Sequence, residues 1–404
     1  MAVGLQPAQS LRPIAGVRLA SVAAGIKASG AADLVLIALD EGATAAAVFT
    51  RNAFCAAPVT LARQHLAGAA PRALLINSGN ANAGTGTAGL DNASECCARV
   101  AGQLGVAAEQ VLPFSTGVIS EQLPMPALRS GIDAAAGALA ADAWLDAARG
   151  IMTTDTQPKG VSREITIAGQ RIAITGIAKG SGMIRPDMAT MLAFVATDAA
   201  IPQLDLQLAL EHCNRLSFNS ITVDGDTSTN DACLLLASGA GGAALDRQTP
   251  GWMTFVELLA EVLTELAQAI VRDGEGATHF VEILTSGGRD EDECRQVGYT
   301  VAHSPLVKTA LFAGDPNLGR ILAAVGRSGL DDLDIGGVSL YIGDVCVVAD
   351  GQPASDYDES RAAAVMAEED VCISIDLGRG EARWVIWTTD LSYDYVRINA
   401  EYRS

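Results

Sequence analysis

Residues 179–194 read Lys179-Gly180-Ser181-Gly182-Met183-Ile184-Arg185-Pro186-Asp187-Met188-Ala189-Thr190-Met191-Leu192-Ala193-Phe194. Glycines and a proline break the first part into a loop. The apolar run Met191 to Ala196 that follows reads as a buried strand. Thr190 stands at the junction, directly after Ala189. A β-branched residue at a strand start is ordinary. It also has a second reading. A threonine hydroxyl is a poor nucleophile at neutral pH and needs a base. A free α-amino group on the same residue, with a pKa of about 7.7–8.0, can serve as one. The chain supplies that amine only if its backbone breaks between Ala189 and Thr190. Gly180 and Gly182 permit unusual backbone geometry, Pro186 restricts it, and Ala189 offers little obstruction to attack on its carbonyl. The ester so formed would be hydrolysed by water, leaving Thr190 as a new N-terminus. The spacing alone leaves both readings open.

Outward from this stretch, apolar runs alternate with turn clusters. Leu34 to Leu39, Ala46 to Thr50 and Ala73 to Asn77 read as strands. The last runs into the glycine- and asparagine-rich loop Asn77 to Gly86, and a helix is expected from Asp91 to Leu104, with Asp91 as cap and Gly105 as stop. A strand, a glycine loop and a helix in succession often bind a ligand, but the G-x-x-x-x-G-K-[ST] phosphate pattern is missing. Thr116 and Gly117 interrupt two apolar runs between Val111 and Ser120. Ala134 to Arg149 reads as an alanine-rich helix, and Met152 to Thr156 as a turn rich in hydroxyls. Glu164–Ile167 and Arg171–Thr175 suggest a hairpin around Ala168-Gly169-Gln170. Asp205 to Arg215 has helical periodicity. The polar loop Ile221 to Asp231 leads into the apolar run Ala232 to Ala237, and its acids do not match EF-hand spacing. The clearest helix spans about Phe255 to Val271, with Thr254 and Glu257 as a capping box, and ends at Arg272-Asp273-Gly274 so that Glu275 emerges just beyond it. Ser304-Pro305 and Asp315-Pro316 read as two further helix starts. The rest is strand-rich, from Val338 to Val348 and Val371 to Thr388.

A chain of 404 residues suggests two or three domains. Its 49% hydrophobic and 18% charged residues fit an α/β metabolic protein rather than a disordered or fibrous one. A boundary is expected near 285–300, before a smaller C-terminal α/β portion, although no linker marks it. The net charge of −20 argues against a nucleic-acid partner. No run reaches the ~18 apolar residues a membrane helix needs. The basic N-terminus passes straight into strand-like sequence, so it reads as part of the fold and the protein as cytoplasmic. The eight cysteines include no C-x-x-C pair and read as reduced, mostly buried thiols. The four histidines (65, 212, 279, 303) show no metal-ligand spacing, so no metal is expected.

The stretch 179–194 resembles the signature of the ornithine acetyltransferase family, also called the ArgJ family. The resemblance extends over nearly the whole chain. It includes Gly25-Ile26-Lys27, Phe49 to Asn52, Asn77 to Ala83, Ser115 to Ile119, Met152 to Thr156, Asp224 to Asp231, Asp273 to Thr278, Gly314 to Arg320 and Ile398 to Tyr402. One departure is Gly84, where members often carry cysteine. The resemblance implies an α/β fold, a layered α-β-β-α sandwich with mixed sheets of the N-terminal-threonine-nucleophile type. It implies self-cleavage between Ala189 and Thr190 into an α chain (1–189) and a β chain (190–404), associated as an (αβ)₂ heterotetramer. It further implies ping-pong transfer of acetyl from N-acetylornithine to glutamate through an ester on Thr190, without a resident cofactor. Some members also take acetyl from acetyl-CoA. Thr116 and Gly117 resemble the pair that stabilises the oxyanion. Thr156, Lys179, Glu275, Asn399 and Ser404 resemble the substrate-binding positions. Charge chemistry agrees: Lys179 suits a carboxylate, and Glu275 an amine or the orientation of Thr190. The rivals are an N-terminal-threonine amidase or aminopeptidase that uses water as acceptor, and an uncleaved amino-acid-binding protein.

Overall fold

The structure is a computed structural model that describes residues 2–185 and 191–401. It divides into two units, one of Gln6–Asn219 and Asp226–Ile270, the other of the described residues within Met1–Leu5, Ser220–Gly225 and Val271–Ser404.

The first unit contains, in order, β1 (Val17–Val22), β2 (Leu34–Leu39), β3 (Thr44–Phe49), α1 (Ala57–Gly68), β4 (Ala73–Asn80), α2 (Gly86–Leu104), β5 (Val111–Val118), α3 (Met125–Gly137), α4 (Trp144–Gly150), β6 (Lys159–Ile167), β7 (Gln170–Lys179), β8 (Leu192–Thr197), α5 (Gln203–Leu216), β9 (Ala232–Ala237) and α6 (Trp252–Arg272), whose last two residues open the second unit. Two sheets form, ordered β1-β2-β4-β5 and β3-β9-β8-β7-β6. Each is mixed: β4/β5 and β8/β9 are parallel and the other pairs antiparallel.

The sheets face each other. Ile37, Ile76 and Phe114 of one join Ile177, Phe194 and Leu234 of the other in one core, where the Phe114 and Phe194 rings meet edge to face at 5.3 Å. The opposite face of the first sheet, including Leu36, Leu75 and Val111, packs on α1, α2 and α3. Helices α5 and α6 cover the second sheet; Gly176 is small because a Cβ there would lie 2.9 Å from a methyl of Leu266. This is helix, sheet, sheet, helix. Strands covered on both faces carry apolar residues at consecutive positions, which is why β2, β8 and β9 are buried throughout and show no alternation.

The second unit contains β10 (Phe280–Gly288), α7 (Glu291–Ala302), α8 (Pro305–Phe312), α9 (Leu318–Gly326), β11 (Ser339–Ile342), β12 (Val345–Ala349), β13 (Gln352–Pro353), α10 (Glu359–Met366), β14 (Asp370–Asp376), β15 (Ala382–Thr389) and α11 (Tyr393–Ala400). Its sheet runs β13-β12-β11-β14-β10-β15, with only β10/β14 parallel. Val281, Ile283, Ile373, Ile375 and Ile386 pack with α7 and α9 in a separate core. Here the strands alternate buried and part-exposed residues, as a sheet with one covered face does.

Several expectations from the sequence shift. The helix expected from Asp91 starts at Gly86, because Asn82 Nδ2 donates to Gly89 O (2.9 Å) and gathers the earlier residues into the first turn; Gly105 ends it in the left-handed region, φ 67°. The single helix 134–149 is two, α3 and α4. Ala140 leaves the helical path between them to exchange backbone hydrogen bonds with Leu19 (2.8 and 2.9 Å). Helix α6 begins at Trp252, which places Thr254 inside the first turn rather than at the cap. Ser304 caps α8 ahead of Pro305 as expected, but α9 starts after Pro316, with Asn317 accepting from Arg320 N at 3.1 Å. The hairpin forms around two central residues with positive φ, Ala168 (51°) and Gly169 (80°), as a two-residue turn between twisted strands demands.

All eight cysteines are free and five are buried. Burial pushes the Cys96 and Cys213 thiols up to about 12, which suits inert packing groups. Among the described residues, no helix is long and apolar enough to cross a membrane.

Candidate active site

The chemistry-bearing residues of the first unit gather where one end of each sheet meets the other. Because β7 runs antiparallel to β8 and β9, the end of β7 at Lys179, the start of β8 at Leu192 and the start of β9 at Ala232 lie side by side. The end of β5 at Thr116 and Gly117 comes from the other sheet. Ala189 and Thr190 lie outside the described residues, as does Ser404. The described chain resumes at Met191, whose carbonyl accepts from Ala232 N at 2.9 Å.

Lys179 links the sheets. Its ammonium donates to Thr116 Oγ1 at 3.2 Å and Thr153 Oγ1 at 2.8 Å, and the side chain is buried. A hydroxyl that accepts from a cation is left with its own proton to donate, and polarisation makes it a stronger donor. Gly117 follows with φ 133°, a conformation for glycine; a Cβ there would lie 2.5 Å from Asn80 N and 2.6 Å from Gly79 O. The backbones of β4 and β5 thus touch where the second donor would be.

The turn before β6 supports Lys179 from beneath. Asp155 Oδ1 accepts from Lys159 Nζ (2.7 Å) and Gly180 N (2.7 Å), and Oδ2 from Thr153 N (2.9 Å). Burial pushes the Asp155 carboxyl up, but the Lys159 and Lys179 charges and these hydrogen bonds outweigh it and hold it well below the usual carboxylate range. Thr156, next in sequence, is exposed. On the other side, Asn230 Nδ2 donates to Ala81 O (2.6 Å) and Ser115 O (2.9 Å), tying the strand that carries Thr116 to the start of β9. Neighbouring Asp231 is buried, and burial holds its carboxyl well above the usual range against the pull of Ser228 and Lys179.

In the second unit Glu275 and Asn399, far apart in sequence, come together: Asn399 Nδ2 donates to Glu275 Oε2 at 2.8 Å. Glycine at 276 allows it, since a Cβ would lie 2.7 Å from Ser392 Oγ, which donates to Gly276 O at 2.6 Å and caps α11. Lys308 is buried at the end of β15. It donates to Thr388 Oγ1 at 3.1 Å, to Thr389 O and to Thr389 Oγ1. Burial lowers its ammonium to about 8, with Asp390 and Asp224 opposing. Its folded pKa is below the unfolded value of about 10.4. Between about pH 8 and 10 the unfolded chain therefore binds more protons, and stability rises with pH. Lys308→Met is expected to flatten that rise relative to wild type in urea unfolding followed from pH 7.5 to 10; an unchanged slope would refute it.

The family model described as the ArgJ family matches residues 18–404. The chain belongs to the ArgJ family. It is 56% identical over 395 residues to the arginine biosynthesis bifunctional protein ArgJ of Methylococcus capsulatus, spanning 98% of this chain and 97% of that protein. To the ArgJ protein of Pseudomonas fluorescens it is 52% identical over 407 residues and all of both chains. The crystal structure of the ArgJ protein of Bacillus halodurans covers 50% of this chain and 96% of its own, at 38% identity and a TM-score of 0.49. Of the residues that the ArgJ resemblance singled out, the structure brings together Thr116, Gly117 and Lys179 in one unit and Glu275 with Asn399 in the other. The sequence alone assigned no role to Asp155, Lys159, Asn230 or Asp231, although Asp155, Asn230 and Asp231 stand inside quoted motifs. The i, i+4 spacing of Asp155 and Lys159 was the available signal, and it lies in a turn where helical spacing means nothing.

Proposed function

We propose that this chain is a self-cleaving glutamate N-acetyltransferase of arginine biosynthesis, and that Thr190 carries the acetyl group. What supports this is the full-length likeness to proteins named arginine biosynthesis bifunctional protein ArgJ, together with the hydroxyl of Thr116, fed by Lys179, next to Gly117. Breakage of the Ala189–Thr190 peptide gives chains 1–189 and 190–404, which stay together as an (αβ)₂ assembly in the cytoplasm. The freed amine of Thr190 takes the proton of its own hydroxyl as the oxygen attacks the acetyl carbonyl of N-acetylornithine. Thr116 O–H and Gly117 N–H receive the negative charge on the carbonyl oxygen, each donor worth roughly 3–4 kcal/mol in a water-poor site. Collapse expels ornithine, whose nitrogen receives the proton from the Thr190 ammonium. Glutamate then attacks the ester by the reverse sequence. Lys179 binds substrate carboxylate, and Glu275, oriented by Asn399, the ornithine side-chain amine, with Thr156 and Ser404 adding neutral contacts. No resident cofactor takes part; acetyl-CoA enters only as an alternative acetyl donor.

Intact mass under denaturing conditions, before and after N-acetylornithine, tests this. Wild type is expected as two chains, the β chain gaining one acetyl group, with N-acetylglutamate formed on adding glutamate. Thr190→Ala is expected as one chain of 41.5 kDa without adduct or product. A cleaved wild type that releases acetate instead of N-acetylglutamate would sink the transferase reading.

A further inference from the structure

We propose that Lys27 is a second substrate-carboxylate cation, acting beside Lys179; the inference rests on the acetyltransferase reading. Lysine is scarce here. Of 27 basic side chains only four are lysines, Lys27, Lys159, Lys179 and Lys308, and arginine does the rest. Three of the four stand around Asp155 in the first unit, since Lys27, Lys159 and Lys179 all act on or feel that carboxylate.

Lys27 is fixed by a buried acid. Asp33 accepts from the backbone amides of Ala24 (2.6 Å), Gly25 (3.1 Å), Ile26 (2.6 Å) and Lys27 (2.9 Å), which curls residues 24–27 around one carboxylate. The side chain then lies on the oxyanion strands. A Cβ on Gly79 would meet Lys27 Cγ at 3.2 Å, and Gly79 is the residue whose backbone backs onto Gly117. The ammonium is half-buried and donates to Ala32 O at 3.0 Å. That uses one of three donors, and among the described residues Lys27 has no ion pair. Burial lowers its pKa, Asp33 and Asp155 oppose, and Lys179 adds to the lowering, which places it in the electrostatic field of the site.

The nearby carboxylates have other partners. Asp33 is taken up by four backbone amides, and Asp155 by Lys159 and two amides. A half-buried cation without a carboxylate is costly unless an anion arrives to complete it. The substrates are that anion: N-acetylornithine carries one carboxylate and glutamate carries two. Solvation of an idle surface ammonium would need neither the Asp33 clamp nor packing against Gly79.

The test separates the two half-reactions. Acetyl-enzyme formation from N-acetylornithine is followed by mass and transfer to glutamate by product, each against substrate concentration. Lys27→Met keeps the stem on Gly79 and loses the charge; Lys27→Arg keeps the charge. Lys27→Met is expected to raise KM by about 10- to 100-fold with kcat within about threefold, the loss of a charged hydrogen bond, and Lys27→Arg to restore most of it. A rise for both substrates assigns Lys27 to their common α-carboxylate; a rise for glutamate alone assigns it to the carboxylate that ornithine lacks. Wild-type KM in both steps, or a fall in kcat with KM unchanged, overturns the proposal. Should Lys27→Met fail to fold, Lys27→Gln replaces it under the same criteria. A wild type that transfers acetyl while the variant matches it removes this inference alone; a wild type that forms no acetyl adduct removes the parent function too.

Discussion

Gly117→Ala is expected to lower kcat for acetyl transfer by about 100- to 1000-fold, the loss seen when one oxyanion donor is removed. Two facts make the position intolerant. Its φ of 133° is open to glycine and strained for alanine, and a Cβ would press within 2.5 Å of Asn80 N on the adjoining strand. Backbone is not a flexible side-chain end, so β5 must move away from β4 and carry its amide with it. An oxyanion donor displaced by a fraction of an ångström loses most of its value, because the gain depends on a fixed, pre-set geometry. KM is expected to change far less than kcat. The measurement is single-turnover acetylation of Thr190 beside a melting curve. A variant that folds and acetylates within about threefold of wild type would show that Gly117 does not hold the oxyanion.

Asp155→Ala is expected to cost about 3–5 kcal/mol of stability at pH 7, the usual penalty for removing one partner of a buried ion pair. The side chains of Asp155 and Lys159 are both fully buried in the pair. The substitution takes the carboxylate from Lys159 and the acceptors from Gly180 N and Thr153 N, and so also loosens Thr153, on which Lys179 rests. The pH dependence has a definite sign. The folded carboxyl is held below its ordinary value, so its contribution is complete above the unfolded pKa of about 3.9 and is lost as pH falls through the folded one. Urea unfolding should therefore separate wild type and Asp155→Ala widely at pH 7 and ever less below about pH 4. A separation that is constant across that range would contradict the argument.

Legibility differed between parts of the molecule. The strands of the first unit were readable as runs, because sheets covered on both faces place apolar residues at every position of β2, β8 and β9. Helix boundaries were not, where a distant partner intervened. Leu19 pulled Ala140 out of an alanine-rich helix, and Asn82 drew Gly86 to Gly89 into α2. Thr116, Gly117 and Lys179 could be named from the sequence through the family resemblance. That Lys179 donates to Thr116, and that Gly79 is pressed between Lys27 and Gly117, could not, since those contacts join residues from strands of two sheets and their loops. The same holds for Glu275 and Asn399 in the second unit.

By itself the sequence determined the family, the α/β class and the residue types available for chemistry, because these depend on identity and order along the chain. The tertiary structure alone decided which groups are buried, which are paired and in which direction their proton affinity moves. Asp33, Asp155 and Asp231 are the same residue in one dimension. In three, one is wrapped by four amides, one is locked to a lysine, and one is buried so that its proton is harder to lose. Charge state and donor supply follow from burial and neighbours, and neighbours are made by folding.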